Sequence, residues 1–458
     1  MTFNKILIAL PVAVAGVLQL DIAASQTLEE TLVKAYQQNP KLKAERARLR
    51  ATDEGVPQAL SNWRPTVRVT GSAGVKRSDS TIRGPAAKEA DVTKPLTGAL
   101  TITQNLYRGG RTEAGVEEAE NNVKADRARL SSTEQLVLLN AATAYADVVR
   151  DQAVLELNKN NERVLKRQLE ATQDRFSVGE VTRTEVSQAE SRLSRARADR
   201  IAAEGTLADA RAAYQNSVGQ SPKVLKAARP LTELPSSLED AIDRAKSENF
   251  DVIRARFIQQ GAKSNVRKIK GELLPSLTLS GSAQSNEETT NSRSESQNLS
   301  VTAQLSIPLY ASGSVTSRIR AAKQLVSQRY DELEQAIRDV VRETTGAWQN
   351  VQTGRAQIRA FTSAVKAAEI ALKGVREEAN VGSRNVLDVL DAEQELLDAR
   401  VGLARAMRNE LVATYQLRRA VGELTAGKLG LPVKIYYPEE HYRRVRGKWW
   451  GLTSGDEK

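Results

Sequence analysis

The chain contains no cysteine. That excludes disulfides, thiolate metal centres and a lipid carried on an N-terminal cysteine. Aromatic residues make up only 4%, with 5 Phe and 4 Trp among 458 residues, which is poor material for a large globular core. There is a single histidine, His441. One imidazole with no cysteine and no nearby nucleophile builds neither a triad nor a zinc site, and His441 reads as a surface residue. No carboxylate pair sits in a recognisable cleft pattern, so the chain reads as a non-enzyme with no metal and no cofactor. Proline is missing from residues 110–176 and again from 313–379. Each stretch can be one helix of about 100 Å at 1.5 Å per residue. After the first 25 residues nothing approaches 18 continuous apolar positions, so no transmembrane helix is expected.

What the chain has in quantity is charge and alanine. The net charge is +11, but the 67 basic residues are interspersed with 56 acidic ones along helical stretches. This is the pattern of solvated helix faces rather than of a nucleic-acid groove. At the N-terminus Lys5 precedes an apolar run, residues 6–20, and the small residues Ala23, Ala24 and Ser25 follow. Residues 1–25 read as a signal peptide cleaved just after Ser25, so the mature protein is exported. Any entry into a membrane must then be made by strands.

The chain repeats itself. Residues 28–72 align with 238–282 at an offset of 210, anchored by Leu28/Leu238, Asn39/Asn249, Pro65/Pro275 and Gly71/Gly281. From Leu106-Tyr107 and Leu309-Tyr310 onward the offset is 203, as far as Val218-Gly219 and Val421-Gly422. Inside the long segments apolar residues recur every seven positions. They are Val116, Val123, Leu130, Val137 and Ala144, mirrored by Ile319, Val326, Leu333, Val340 and Ala347. A strict seven-residue repeat means helices supercoiled on neighbours. A second seam is built of alanine: 189, 196, 203 and 210, mirrored by 392, 399, 406 and 413. Small side chains there let helix axes approach closely.

Short alternating segments lie between the helices. Leu299, Val301, Ala303, Leu305, Ile307 and Leu309 share one face, with Ser, Thr and Gln on the other. Residues 277–283, 67–75 and 100–102 repeat the pattern. Pro65 and Pro275 stop the preceding helices. Such segments match outer-membrane strands; the other reading is a soluble hairpin with one buried face. The polar stretches 76–94 and 285–297 read as exposed hairpin loops. Four strands cannot close a membrane barrel, and an open edge in lipid is prohibitive, so copies of the chain must share a wall.

Twin turns end the long helices, V-G-E-V-T-R-T-E from Val178 and V-G-S-R-N-V-L-D from Val381. Each has a turn glycine, Gly179 or Gly382, then a helix start with a capping box, Thr182 with Glu185 and Asn385 with Asp388. Asp388 and Asp391, three apart, share a helix face.

Across nearly its whole mature length the chain resembles the TolC family of outer-membrane efflux proteins. The matching features are Asn39-Pro40, the strand entry at Leu274-Pro275, the turn Leu309-Tyr310-Ala-Ser-Gly313 and the stretch from Val381 to Asp391. The resemblance implies a mostly α protein with a membrane β-barrel: a homotrimer with a twelve-stranded outer-membrane barrel continuous with a twelve-helix periplasmic tunnel. It implies passive export of drugs or proteins, driven by an inner-membrane transporter of RND or ABC type through a periplasmic adaptor. It places the gate at Asp388 and Asp391, though Asp388 also stands where a cap belongs. It makes Arg384, Thr184 and Glu185 a latch; Glu185 replaces the family's aspartate and Ala379 its tyrosine.

The expected organisation is a signal peptide (1–25), a first repeat (26–219, hairpin about 64–107), a linker (220–237), a second repeat (238–422, hairpin about 275–309) and a tail (423–458). The tail interleaves Tyr436, Tyr437, Tyr442, Trp449 and Trp450 with Arg443, Arg444, Arg446 and Lys448. It is either a belt packed on the helices or a basic surface for lipid or nucleic acid. The alternative to an export duct is a non-conducting coiled-coil scaffold of the envelope. Gly422 to Lys428 has phosphate-loop spacing, but Leu429 follows and a helix precedes, so it is set aside.

Overall fold

The computed structural model describes residues 26–79 and 90–453. Residues 1–25, where the signal peptide is expected, residues 80–89 and the last five residues lie outside the described residues.

Each half of the chain runs short helices, strand, strand, long helix, return helix. The first half has α1 (Leu28–Gln38), α2 (Pro40–Asp53), α3 (Gly55–Leu60), β1 (Thr66–Ala73), β2 (Lys76–Asp79), β3 (Ala90–Thr93), β4 (Leu96–Tyr107), α4 (Arg111–Ser177) and α5 (Arg183–Val218). The second has α6 (Leu238–Glu248), α7 (Phe250–Lys270), β5 (Ser276–Glu287), β6 (Glu295–Ser306), α8 (Ser314–Asn380) and α9 (Val386–Ala420); α10 (Pro438–Arg446) lies in the tail. The two long helices have 67 residues each. One device recurs in both halves. Asn39 and Asn249 cap α2 and α7 through Oδ1. Their Nδ2 atoms donate to Ser217 and Ala420 carbonyls, at 3.0 and 2.8 Å, at the ends of α5 and α9. One side chain thus starts a helix and holds the end of another.

The helices pack along the seams the spacing predicts. Val116, Val123, Leu130, Val137 and Ala144 are all buried, as are seven of the eight seam alanines, Ala392 being half-buried. Of the five matching positions in α8 only Val340 and Ala347 are buried; Ile319, Val326 and Leu333, nearer the strands, are partly exposed. The apolar stripe there has no complete cover within one chain.

The strands form one antiparallel sheet in the order β1-β4-β5-β6, with a separate β2-β3 ladder. Register puts Val69, Leu100, Ala283 and Leu299 in one row, and Val67, Ile102, Gly281 and Val301 in the next. Arg68, Thr101, Ser282 and Ser300 form a row on the opposite face. The apolar rows are left uncovered: Val69 is 77% exposed, Val301 75% and Leu299 85%. A soluble sheet does the reverse. β1 and β6 are edges with unpaired backbone among the described residues. The strands outrun the sequence reading. Lys76–Asp79, Ala90–Thr93 and both ends of the 285–297 stretch are ladder, not loop, because strand pairing continues through polar residues that break the alternation.

The tail packs on the first repeat's short helices, with Tyr437, Trp449 and Trp450 left exposed. α10 lies on α2 and α3. Arg46 is sandwiched between the Tyr36 and Tyr436 rings, Arg127 stacks on Tyr442, and Arg64 stacks on Trp449 while donating to the Lys448 carbonyl. His441 is not on the surface. It is 5% exposed, with Nδ1 2.9 Å from the Asp53 carboxylate.

Candidate gate at the helical tip

The tip is made by two matching turns. α4 ends with Gly179 at φ +80°, whose N–H donates to the Phe176 carbonyl at 3.0 Å, while Glu180 N–H reaches Arg175 at 2.9 Å. α8 ends the same way, with Gly382 at φ +80° and bonds to Ala379 and Glu378 at 3.1 and 3.0 Å. Left-handed backbone at this position is what glycine provides. Both capping boxes form: Thr182 with Glu185 opens α5, and Asn385 with Asp388 opens α9. Phe176, Val178 and Val381 stay exposed around the turns.

Near the tip the two coils are tied together. Leu165 of α4 and Leu193 and Ala196 of α5 pack with Val386 and Leu390 of α9. This contact sets where the two aspartates stand. Asp388 Oδ2 accepts the Asn385 N–H at 3.3 Å and lies 3.9 Å from Arg384. Asp391 accepts from Arg192 of α5 at 2.5 Å. Its carboxylate is therefore the charged half of a bridge between the two repeats. Sequence reasoning misses Arg192; only its charge, in a helix facing an acidic one, marks it.

Arg384 donates to Glu378 at 2.9 Å, the acid at the end of its own coil. Within one chain it is not brought to Thr184 or Glu185. Glu185 is occupied as a cap, accepting the Thr182 N–H at 3.2 Å, and Thr184 is exposed. Between the coils lies an open groove of about 370 Å³ lined by Arg167, Arg175, Arg376 and Arg384 together with Thr172 and Val389. Arg376 pairs with Glu393 and Arg384 with Glu378. No group of acids or histidines capable of holding a metal occurs among the described residues.

The family model for outer membrane efflux proteins matches residues 31–220 and 241–423. The chain belongs to that family. It is an efflux protein similar to the outer membrane efflux protein BepC of Brucella suis, 35% identical over 455 residues and covering 99% of this chain and 98% of that one. The TolC outer membrane protein of Vibrio cholerae is 30% identical, covering 88% of this chain and 92% of its own. The Campylobacter jejuni CmeC outer membrane channel shares the fold at a TM-score of 0.76 with 16% identity, over 92% of this chain and 89% of that one. This efflux protein is thus an outer-membrane exit duct, and the outward apolar sheet above long helical rods is the architecture such a duct requires.

Proposed function

We propose that three copies close side by side into one conduit. Three sheets of four strands give a twelve-stranded barrel wide enough for a lumen. The four long helices of each chain supply a twelve-helix tunnel in the periplasm. The signal peptide sends the chain through the inner membrane. An adaptor in the periplasm and an RND- or ABC-type transporter deliver drugs or proteins to the tunnel, which catalyses nothing and moves cargo passively.

The observation that carries this reading is the four-stranded sheet with an apolar outer face and two unpaired edges. In hydrocarbon each unpaired backbone group costs several kcal/mol, so β1 and β6 call for partners of the same kind. The test is planar-bilayer recording on heat-resistant oligomers extracted from outer membranes. Stepwise conductance supports the duct; oligomers that never conduct would mean an envelope scaffold.

The gate is assigned to Asp388 and Asp391, with Arg384, Thr184 and Glu185 as a latch between neighbouring coils and Gly179 and Gly382 as the turns around which the coils bend. Three chains would gather six carboxylates around one axis, a ring that attracts cations. The double substitution Asp388→Ala with Asp391→Ala is expected to weaken block by multivalent cations. Because Asp391 also bridges to Arg192, Arg192→Ala is the control: it loosens the bridge and leaves the ring charge in place. A cation block identical in the double variant and the parent would remove the aspartates from the gate.

A further inference from the structure

The first described residue is also one of the most tightly held. Gln26 is 2% exposed. Its N–H donates to the Val224 carbonyl at 2.8 Å, and its carbonyl accepts from Lys226 N–H at 3.2 Å, forming a parallel bridge to the linker between the repeats. The Tyr145 hydroxyl clamps the same point, 3.0 Å from the Gln26 carbonyl and 2.6 Å from that of Lys226. The Gln26 side chain is less well held. Neither buried amide atom makes a hydrogen bond of good geometry; the one group that engages it is the Tyr214 phenol, which it shares with Thr31 at 2.9 Å. Buried polar atoms left unpaired are uncommon and costly.

Cleavage after Ser25 turns Gln26 into the N-terminal residue. Its nitrogen would then be an ammonium with three N–H groups and one seated acceptor, Val224. The nearby acid acting on this pocket is Glu30, an exposed side chain. A charge placed here lacks a buried partner, and burying an unpaired charge is strongly unfavourable.

We propose that Gln26 is a modification site, closed to pyroglutamate once cleavage after Ser25, on which the step depends, has freed its amine. The α-amine nitrogen attacks the side-chain Cδ; the N–Cδ bond forms, the Cδ–Nε2 bond breaks, and Nε2 leaves as ammonia with the proton the amine gives up. No oxidant or co-reactant is consumed. The product suits the site on each count. The lactam keeps the one N–H that Val224 accepts. It carries no charge. It discards one of the two poorly partnered amide atoms. The clamped mature end is then uncharged and closed to aminopeptidases.

The test is intact-mass and N-terminal analysis of protein taken directly from fresh outer membranes. The expected result is a chain starting at residue 26 that is one ammonia lighter than its sequence. It should be refractory to Edman degradation until it is unfolded and treated with pyroglutamyl aminopeptidase. A chain starting at Gln26 with a readable free amine would overturn the modification while leaving the cleavage site intact. A chain starting elsewhere would overturn the cleavage reading and the modification with it. Gln26→Ala, which cannot cyclise, keeps a free amine. It should raise the rate of proteolytic cutting in the 220–237 linker severalfold at neutral pH, with the difference shrinking above pH about 8 as the amine loses its charge. Equal cutting at every pH would count against a charge penalty at this site.

Discussion

Two carboxylates fasten the tail, Asp53 buried and Glu134 half-buried, and each is a residue whose charge is tolerated rather than favoured. Glu134 accepts the Ala426 N–H at 2.7 Å, and Asp53 meets His441. Burial pushes both carboxyls above their ordinary values; the Ala426 N–H and Arg46 oppose this at Glu134, and His441 and Arg127 oppose it at Asp53. The folded state therefore holds these protons more tightly than the unfolded chain. For Glu134 that contribution to stability is complete below the ordinary glutamate value of 4.5 and is lost as pH rises through the raised folded value. Glu134→Gln keeps an acceptor for Ala426 and removes the charge. Thermal melts across the acid-to-neutral range should show it at least as stable as the parent near neutrality, with a flatter pH slope. Glu134→Ala leaves a buried N–H unpaired and should cost about 1–3 kcal/mol at every pH. At this scale the sequence is least legible. His441 lies among charged neighbours, and its one sign of burial is the four-residue spacing to Val445, the other buried residue of α10. Arg192 and Glu134 are ordinary helix charges until α9 and the tail arrive from the other repeat.

At the scale of elements, close helix approach is set by small residues, and two glycines separate its strict from its lenient form. Gly109 precedes α4 at φ +61°, and a Cβ there would lie 2.4 Å from the Gly271 carbonyl oxygen. Both backbones are fixed where the corners of the two repeats cross. Gly402 in α9 faces the Phe361 ring of α8, and its Cβ would lie 2.4 Å from Cε1. A ring edge can swing, whereas a carbonyl in a tight corner cannot. Gly109→Ala is expected to cost about 1–3 kcal/mol in strain alone and to lower the yield of assembled protein. Gly402→Ala should fold and show a smaller drop in thermal midpoint; equal losses would contradict this account. The long elements themselves are readable because a helix seam repeats every seven residues whatever it packs against. For the same reason the pattern does not reveal that Ile319, Val326 and Leu333 stay partly exposed in one chain. Phase identifies a face made for contact without saying whose face completes it. Strand ends are underread because polar ladders such as Lys76–Asp79 carry no alternation.

For the whole molecule, the decisive feature is an apolar sheet face left uncovered. Val301 lies on the apolar outer face of β6. Val301→Arg should destabilise the membrane-inserted form by about 2–4 kcal/mol if that position lies near the bilayer midplane. The measurement is the heat-resistant oligomer recovered from outer-membrane fractions. Ser300→Arg, one residue away on the polar face, should be recovered in near-normal amounts. Loss of both or of neither would place lipid on the wrong side of the sheet.

The two unpaired rims at β1 and β6 also constrain how the protein is made. A lone chain entering hydrocarbon would carry both rims bare, so in the proposed assembly insertion and the meeting of the copies are one event. The yield of inserted protein should then rise more steeply than in proportion to the supply of exported chains. Until enough copies arrive, each exported chain must wait outside the bilayer with its greasy side shielded by something else.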